Sequence, residues 1–311
     1  MSFETPILLI IFNRPDKTKL LFEKIKLIKP KKLFVSADGP RKNNFNDEKL
    51  CEETRSIVKK INWECDYKFK FSETNLSCKT NVIESINWFF SINDKGIILE
   101  DDCIPVNSFF EFCEMLLKKY KNNQEIMQIN GSNLGMDFSD LIQETYYFSK
   151  LNHTWGWATW KRAWDHFDPD LKDYFLAKKK GQILEYYKDL EISNWMNAYY
   201  DKIINFEDKI WSTNWSYSIM KNNGLCISPT INLVNNIGFD GSGTSGMAKK
   251  FSKFSSNSND EITKYIFPKD IKYNLKYDQK LFYEKIKSID PRASKLNIFK
   301  KLFSIFKKKF K

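Results

Sequence analysis

No apolar run in this sequence is long enough to cross a bilayer, which takes about 20 apolar residues in helical form. The run from Ile7 to Phe12 is too short, and no basic stretch precedes it, so it does not read as a secretory signal. Disulfide and zinc frameworks are missing too. The six cysteines are Cys51, Cys65, Cys78, Cys103, Cys113 and Cys226, and none forms a C-x-x-C pair. They read as reduced thiols of a cytoplasmic protein. Internal repeats are absent, and no glycine-rich loop follows the first apolar run. Acid is in deficit: the formal net charge is +11, which suggests an anionic partner such as phosphate, a membrane surface or nucleic acid. Apolar residues are not scarce. At 42% hydrophobic and 16% aromatic, the chain is globular and not disordered. Its 311 residues suffice for one large domain, or a domain with an appendage.

What the sequence does have is concentrated in Lys95–Pro105. Gly96 to Leu99 reads as a short buried strand, followed by Glu100, Asp101 and Asp102. Acids at the carboxyl end of a central strand lie where open α/β sheets bind ligands. Three adjacent carboxylates repel one another unless a cation is present. A hard divalent ion with a diphosphate on its far side suits such a set, because it takes few carboxylates plus phosphate oxygens. The structural alternative is a solvated acidic loop that caps the next helix.

The first 130 or so residues alternate strand and helix, which predicts a doubly wound α/β unit. Strands are expected at Pro6–Phe12, Lys31–Ala37, Asp66–Phe71 and Gly96–Leu99, and at Glu125–Ile129. Helices are expected over about Asp16–Ile28, Asn46–Ile61, Thr80–Ile92 and Ser108–Lys121. Arg14 falls at the first strand-to-helix corner, beside helix N–H groups suited to a phosphate or nucleotide. Asp38 ends the second strand in a D-G-P turn. Lys79 sits near a helix start, where a basic residue opposes the dipole unless it meets an anion. Arg14, Asp38, Lys79 and Glu100 to Asp102 all map to one edge of the expected sheet. That coincidence favours a nucleotide or phosphate cleft.

The second half changes texture. Tyr146–Ser149 is a candidate strand. Four tryptophans crowd into Trp155–Trp164. Trp157, Trp160 and Trp164 fall at helical spacing, which reads as core packing. The functional reading is an aromatic platform for the apolar face of a sugar, with Trp155 and Trp157 assigned to it and Trp160 and Trp164 to the core. Helices are expected at Leu184–Tyr200 and Trp211–Lys221, and short strands at Leu225–Ser228 and Asn232–Asn236. Gly238–Gly246 is rich in glycine and hydroxyls, and suits either a lid over a phosphate or a linker. Lys295–Lys311 carries seven lysines and no acid, with apolar residues at helical spacing. Such a basic amphipathic tail reads as lying on an anionic membrane surface, or else packed on the body with its lysines solvated.

The order strand–N-R-P–helix, strand–D-G-P, N-L-S-C-K–helix, I-L-E-D-D-x-x-P–helix, W-G-W-A-T-W and N-L-V-x-N-I-G-F resembles a bacterial group of GT-A glycosyltransferases. These are related to N-acetylglucosaminyltransferase I and are sometimes labelled hemolysin-like. The resemblance spans about Pro6 to Thr244. It implies a GT-A fold: a doubly wound mixed sheet with a C-terminal acceptor-side subregion and the basic tail. Residues 1–250 would form that domain, with 1–133 the nucleotide-sugar half and 134–250 the acceptor half. Residues 251–294 would be an extension and 295–311 the tail.

The resemblance also implies a nucleotide-sugar donor, most simply a UDP-sugar, and Mn²⁺ or Mg²⁺ held directly by Asp102. Glu100 and Asp101 would hold metal-bound water or the ribose, and Asp38 the base. Arg14 would lie by the base or diphosphate, Lys79 near the phosphates, and Gly243 and Thr244 in a closing loop. The activity implied is inverting sugar transfer to a glycan or lipid-linked glycan; the basic tail would keep the protein peripheral at the inner face of the cytoplasmic membrane. Two departures stand out. Relatives often carry an aspartate base where this chain has Ser212, so Asp208 becomes the substitute base. Their Thr-His pair is Thr244-Ser245 here. A sugar nucleotidyltransferase would need the glycine-rich loop that is missing after the first strand. A weakened, non-catalytic nucleotide-sugar binder would fit the missing base. Nucleic acid is not an expected partner, because the basic excess is concentrated in the tail and no recognised module is present.

Overall fold

The computed structural model describes residues 3–138, 140–205, 210–239 and 261–290. The expected Asp208, Gly243, Thr244 and the basic tail lie outside the described residues.

The chain opens with β1 (Ile7–Ile11), buried at every position, as a central strand covered on both faces must be. Pro15 starts α1 (Pro15–Ile28), whose Leu21, Phe22 and Ile25 turn inward. Then follow β2 (Lys32–Ala37), α2 (Phe45–Val58), β3 (Asp66–Phe71) and α3 (Cys78–Phe90). Next come β4 (Lys95–Glu100), β5 (Cys103–Pro105), α4 (Asn107–Lys119) and β6 (Ile126–Asn130). Further on lie β7 (Tyr146–Ser149), β8 (Trp157–Trp160), the short helices α5 (Lys161–Trp164), α6 (Tyr174–Lys179) and α7 (Gln182–Tyr187), and α8 (Leu190–Ile204). The remainder is α9 (Trp211–Lys221), β9 (Leu225–Pro229), β10 (Val234–Asn236) and α10 (Leu275–Lys280), which widens into a π-helical turn over Leu281–Ile286.

Eight strands form one mixed sheet in the order β3-β2-β1-β4-β8-β6-β9-β7. The first four run parallel, as the β/α alternation predicts. The alternation then breaks. The slot beside β4 is taken by β8, antiparallel to both β4 and β6. This overturns the helical reading of the tryptophans. Trp157–Trp160 is extended, so Trp157 and Trp160 serve hydrophobic clusters on opposite faces of the sheet. The expected helix Leu184–Tyr200 is also two helices. Lys188 is left-handed, and Asp189 starts α8 afresh by accepting from the N–H groups of Glu191 (2.9 Å) and Ile192 (3.0 Å).

The described part of the C-terminal extension packs back onto the body. No side chain of its own N-cap residue closes α4. Glu261 does so from 153 residues downstream, taking the Asn107 N–H at 3.0 Å and the Ser108 N–H at 2.7 Å. Burial works against that carboxylate, but the Ser108 and Asn107 bonds win and hold its pKa below the usual range. Buried Asp278 accepts from Ser149 Oγ (2.5 Å) and the Lys150 N–H (2.9 Å), fixing α10 to β7. Among the described residues, no helix is long and apolar enough to cross a membrane.

Candidate functional site

The strand order reverses between β1 and β4. From β1 the chain passes through α1 to β2 on one side, while β4 pairs on the other. Such a reversal parts the loops at the carboxyl ends of the strands, and open α/β sheets bind ligands there. Register carries on past the strand: the Asp101 N–H still donates to the Ile10 carbonyl at 3.1 Å. The acid triplet is thereby set level with the end of β1.

Arg14 is the N-cap residue of α1, but its side chain makes no cap. It reaches instead across the crevice. One guanidinium nitrogen donates to Asp102 Oδ2 at 2.9 Å, and the other donates to Asp101 Oδ1. The two acids are not equivalent. The Asp101 side chain is 2% exposed and that of Asp102 is 16% exposed, so Asp101 is the buried countercharge and Asp102 the one open to the crevice. Burial opposes the Arg14 charge, but Asp101, Asp102 and Glu100 outweigh it and raise its pKa. Burial pushes the Glu100 carboxyl up, and Asp102 and Asp101 push it further. Burial also raises Asp101, against the pull of Arg14.

Three carboxylates face one guanidinium here, so negative charge is left over. Asp101 Oδ2 is buried and accepts no hydrogen bond among the described residues. No cluster of three metal-ligating side chains occurs among the described residues. What would fit a hard divalent ion here is the surplus negative charge and the unpartnered Asp101 Oδ2, not a preformed ligand set, so such an ion would take most of its oxygens from a ligand and water.

The strand pair β5·β10 brings a distant loop to this cluster. Asn236 pairs with Cys103, and the Ile237 N–H donates to the Asp102 carbonyl at 2.8 Å. Gly238 then lies so close that a Cβ there would stand 2.2 Å from Asp102 Oδ2. The obstacle is a side-chain oxygen, so Gly238→Ala shifts the Asp102 carboxylate and leaves the backbone in place. We expect a loss of activity of about 100-fold, the scale set by an ångström of misplacement, with little change in thermal midpoint. Equal loss of activity and fold would argue against this role.

On the other side of β1, Asp38 anchors the rim. Its Oδ1 accepts from the Gly39 and Leu76 N–H groups, both at 2.8 Å, and its Oδ2 from Asn75 Nδ2 at 3.0 Å. Burial raises its pKa in spite of the N–H groups of Leu76 and Gly39. Gly39 is required because a Cβ there would lie 2.4 Å from the Thr74 carbonyl carbon. Beyond the rim is a cavity of about 320 Å³ bounded by Pro40, Arg41, Lys42, Thr74 and Asn75. Asp47 holds Arg41 in place, accepting from its Nη2 at 2.9 Å.

Lys79 is the second residue of α3, whose first turn contains no acid. Its neighbour Cys78 was not singled out by the sequence; the residue is exposed at the surface, and the protein packed around its thiol, then Glu100 and Asp102 against Arg14, raise its pKa. That shared field sets the start of α3 beside the acid cluster. Tertiary structure is what brings Cys78 and Gly238 to the acids; the sequence marks them only within N-L-S-C-K and at the start of a glycine-rich segment.

Of the aromatic residues, Trp155 is half-buried and meets Phe239 edge-on, with ring centroids 5.3 Å apart. It therefore stands next to the loop that touches Asp102. Trp157 does not. It is 1% exposed, stacked on Trp211 and packed against Trp164 and Trp215, so it belongs to the core and offers no face to a sugar. Its place in β8 sends it to the opposite side of the sheet from Trp160. Trp160 and Trp164 are buried as expected. A second cavity of about 260 Å³ opens beside Trp155, and Ser212 lines it too.

No protein-family model matches the chain, and no curated protein matches it. Among solved structures, a 4-diphosphocytidyl-2C-methyl-D-erythritol synthase from Anaerococcus prevotii aligns with 56% of this chain and 77% of its own. The identity is 10% and the TM-score 0.29, too loose a likeness to bear on fold or chemistry.

Proposed function

We propose that this chain is an inverting GT-A glycosyltransferase of the bacterial hemolysin-like group. It would move a sugar from a nucleotide-sugar, most simply a UDP-sugar, to a hydroxyl of a surface glycan of lipooligosaccharide or capsule type. The observation that carries this reading is the Arg14 guanidinium laid across the reversal point onto Asp101 and Asp102. It supports an anionic, diphosphate-like ligand shared between one arginine and a cation at the acids.

Each residue has a physical task in this reading. Asp102 would hold Mn²⁺ or Mg²⁺, with Glu100 and Asp101 behind it. When bound, that ion supplies Lewis-acid stabilisation of the leaving diphosphate. Arg14 adds fixed positive charge where negative charge develops, and Lys79 at the start of α3 adds a second. Asp38 and Asn75 shape the rim against which the nucleotide base lies. Trp155 supplies an apolar wall for a sugar. A carboxylate deprotonates the acceptor hydroxyl, a task we assign to Asp208 because Ser212 has no basic group. The lysine-rich residues 295–311 would keep the protein at the anionic inner leaflet, near lipid-linked acceptors.

The test is a thermal-shift screen of nucleotide-sugars with and without Mn²⁺, followed by donor hydrolysis on the hits. Ligand binding stabilises the native state by mass action, by about 2.7 kcal/mol at a hundredfold excess over Kd, and so raises the midpoint. Metal-dependent stabilisation with slow hydrolysis is expected. Release of pyrophosphate from a nucleoside triphosphate and a sugar phosphate would replace this reading with a nucleotidyltransferase. Binding with no hydrolysis or transfer would replace it with a binding protein.

A further inference from the structure

Two short helices leave large apolar side chains in water. α6 turns Tyr174 and Ala177 inward, and α7 turns Ile183, Tyr186 and Tyr187 inward, all into one hydrophobic cluster. At about 3.6 residues per turn, the outer face of α6 then carries Phe175, Leu176 and Lys179. The outer face of α7 carries Leu184, Glu185 and Lys188 by the same count. Exposure agrees: Phe175 is 65% exposed, Leu176 50%, Leu184 45%, and Leu190, the first residue of α8, 51%. α7 packs against both α6 and α8, so these side chains share one surface. Exposed apolar residues scattered singly are ordinary, but a contiguous set with a polar rim marks an interaction site.

The rim is basic. Lys179, Lys180 and Lys188 are exposed and make no ion pair among the described residues, while Lys178 is held by Asp201 at 2.6 Å. Of the acids in this stretch, Glu185 is exposed and Asp189 is turned inward onto Gln279 Nε2 at 2.9 Å. Tyr283 stands beside Leu190. Its hydroxyl donates to Asp189 Oδ2 at 3.2 Å, and the Lys287 ammonium lies 4.9 Å from its ring centroid. The described chain also ends near here. Asp290 Oδ2 accepts from Trp195 Nε1 at 2.9 Å and from the Tyr199 hydroxyl at 2.5 Å. Trp195 lies about 8 Å along the α8 axis from Leu190, so the chain continues toward residues 295–311 from a point close to this patch.

Charge chooses among the occupants. Residues 295–311 would bring seven lysines and no acid onto a basic rim. A second copy of the chain, seated face to face, would set lysine against lysine. An anionic lipid surface takes up the apolar side chains and neutralises the lysines together. We propose that the outer faces of α6 and α7, with Leu190 and Tyr283, dock on an anionic lipid surface. Phe175, Leu176 and Leu184 enter the acyl boundary, and the lysines meet the headgroups. This contact belongs to the folded body and is separate from the one assigned to residues 295–311. It does not depend on the transferase reading, but one consequence does. Tyr187 of α7 lines the cavity of about 260 Å³, so docking here would hold that cavity near lipid-linked acceptors.

Co-sedimentation of the full chain with phosphatidylcholine vesicles, with and without phosphatidylglycerol, tests this. Binding is expected with phosphatidylglycerol and should weaken as salt rises. The triple variant Phe175→Ser/Leu176→Ser/Leu184→Ser alters only side chains outside the core, so its thermal midpoint should hold. Its binding should fall about tenfold or more. Replacing the seven lysines of residues 295–311 by glutamine should leave a remainder of binding that the triple substitution removes. Equal binding by the triple variant and the unaltered chain overturns the proposal, as does complete loss in the glutamine variant alone. A lipid-free dimer that the triple variant dissociates would overturn it too, giving the face to a second copy. Hydrolysis of a soluble donor separates the two readings. Hydrolysis without vesicle binding sinks only this contact, and vesicle binding without hydrolysis sinks only the transferase reading.

Discussion

Asp102→Asn is expected to cut donor hydrolysis by a factor of about 100 to 1,000 or more while moving the thermal midpoint by no more than about 3 °C. The asparagine keeps the shape of the side chain and can still accept from Arg14. It removes the charge that would hold a cation. Asp102 is partly exposed and Asp101 would still face Arg14, so losing the Asp102 charge alone should cost little stability. Asp101→Asn is the control. Asp101 is almost fully buried and is the inner partner of Arg14, so its loss should cost stability first. Parallel assays of hydrolysis and unfolding check the asymmetry. If both variants lose activity and stability in the same proportion, the division of labour between the two acids is wrong.

Arg14→Met is expected to destabilise the fold by about 3–5 kcal/mol, the cost of stranding a buried charge. Methionine replaces the packing of the long stem but leaves Asp101 with no counterion. The double variant Arg14→Met/Asp101→Asn should recover part of that loss, with a coupling of about 1 kcal/mol or more between the two sites. The pH dependence has a definite sign. Burial raises the Asp101 carboxyl in the folded protein, and Arg14 is what pulls it back. Without Arg14 the carboxyl rises further. A group raised on folding contributes stability below its unfolded value and loses it as pH rises through the folded one. The Arg14→Met deficit is therefore largest at neutral pH and shrinks on acidification, as Asp101 takes up a proton. Denaturant unfolding of the four proteins at two pH values checks it. A deficit that grows toward acid would show that the bridge to Asp101 is not the source.

The first half of the chain was legible because local rules and tertiary demands agree there. A fully apolar Ile7–Ile11, a proline at the first helical turn and a glycine-proline turn after Ala37 each specify one structure with few competitors. Asp66–Phe71 and Trp211–Lys221 match their expected bounds for the same reason. The tryptophan block was misread. Trp157, Trp160 and Trp164 have helical spacing, but a four-residue strand followed by a four-residue helical turn produces the same intervals. Periodicity cannot separate these when bulky aromatics fill both faces of a sheet. The break at Lys188–Asp189 was missed because Asp189 acts as a cap only once α7 has ended.

The sequence by itself determined the parallel β/α half and the placing of Arg14, Asp38 and the acid triplet at the carboxyl edge of its strands. Backbone alternation settles that edge with no knowledge of the rest. Tertiary structure alone decided which acid is buried and which is open, that Gly238 lies against Asp102, and that Trp157 belongs to the core. Those outcomes depend on chain segments tens to hundreds of residues apart, brought together by the insertion of β8 and the pairing of β5 with β10. A local pattern carries no record of which distant surface will cover it.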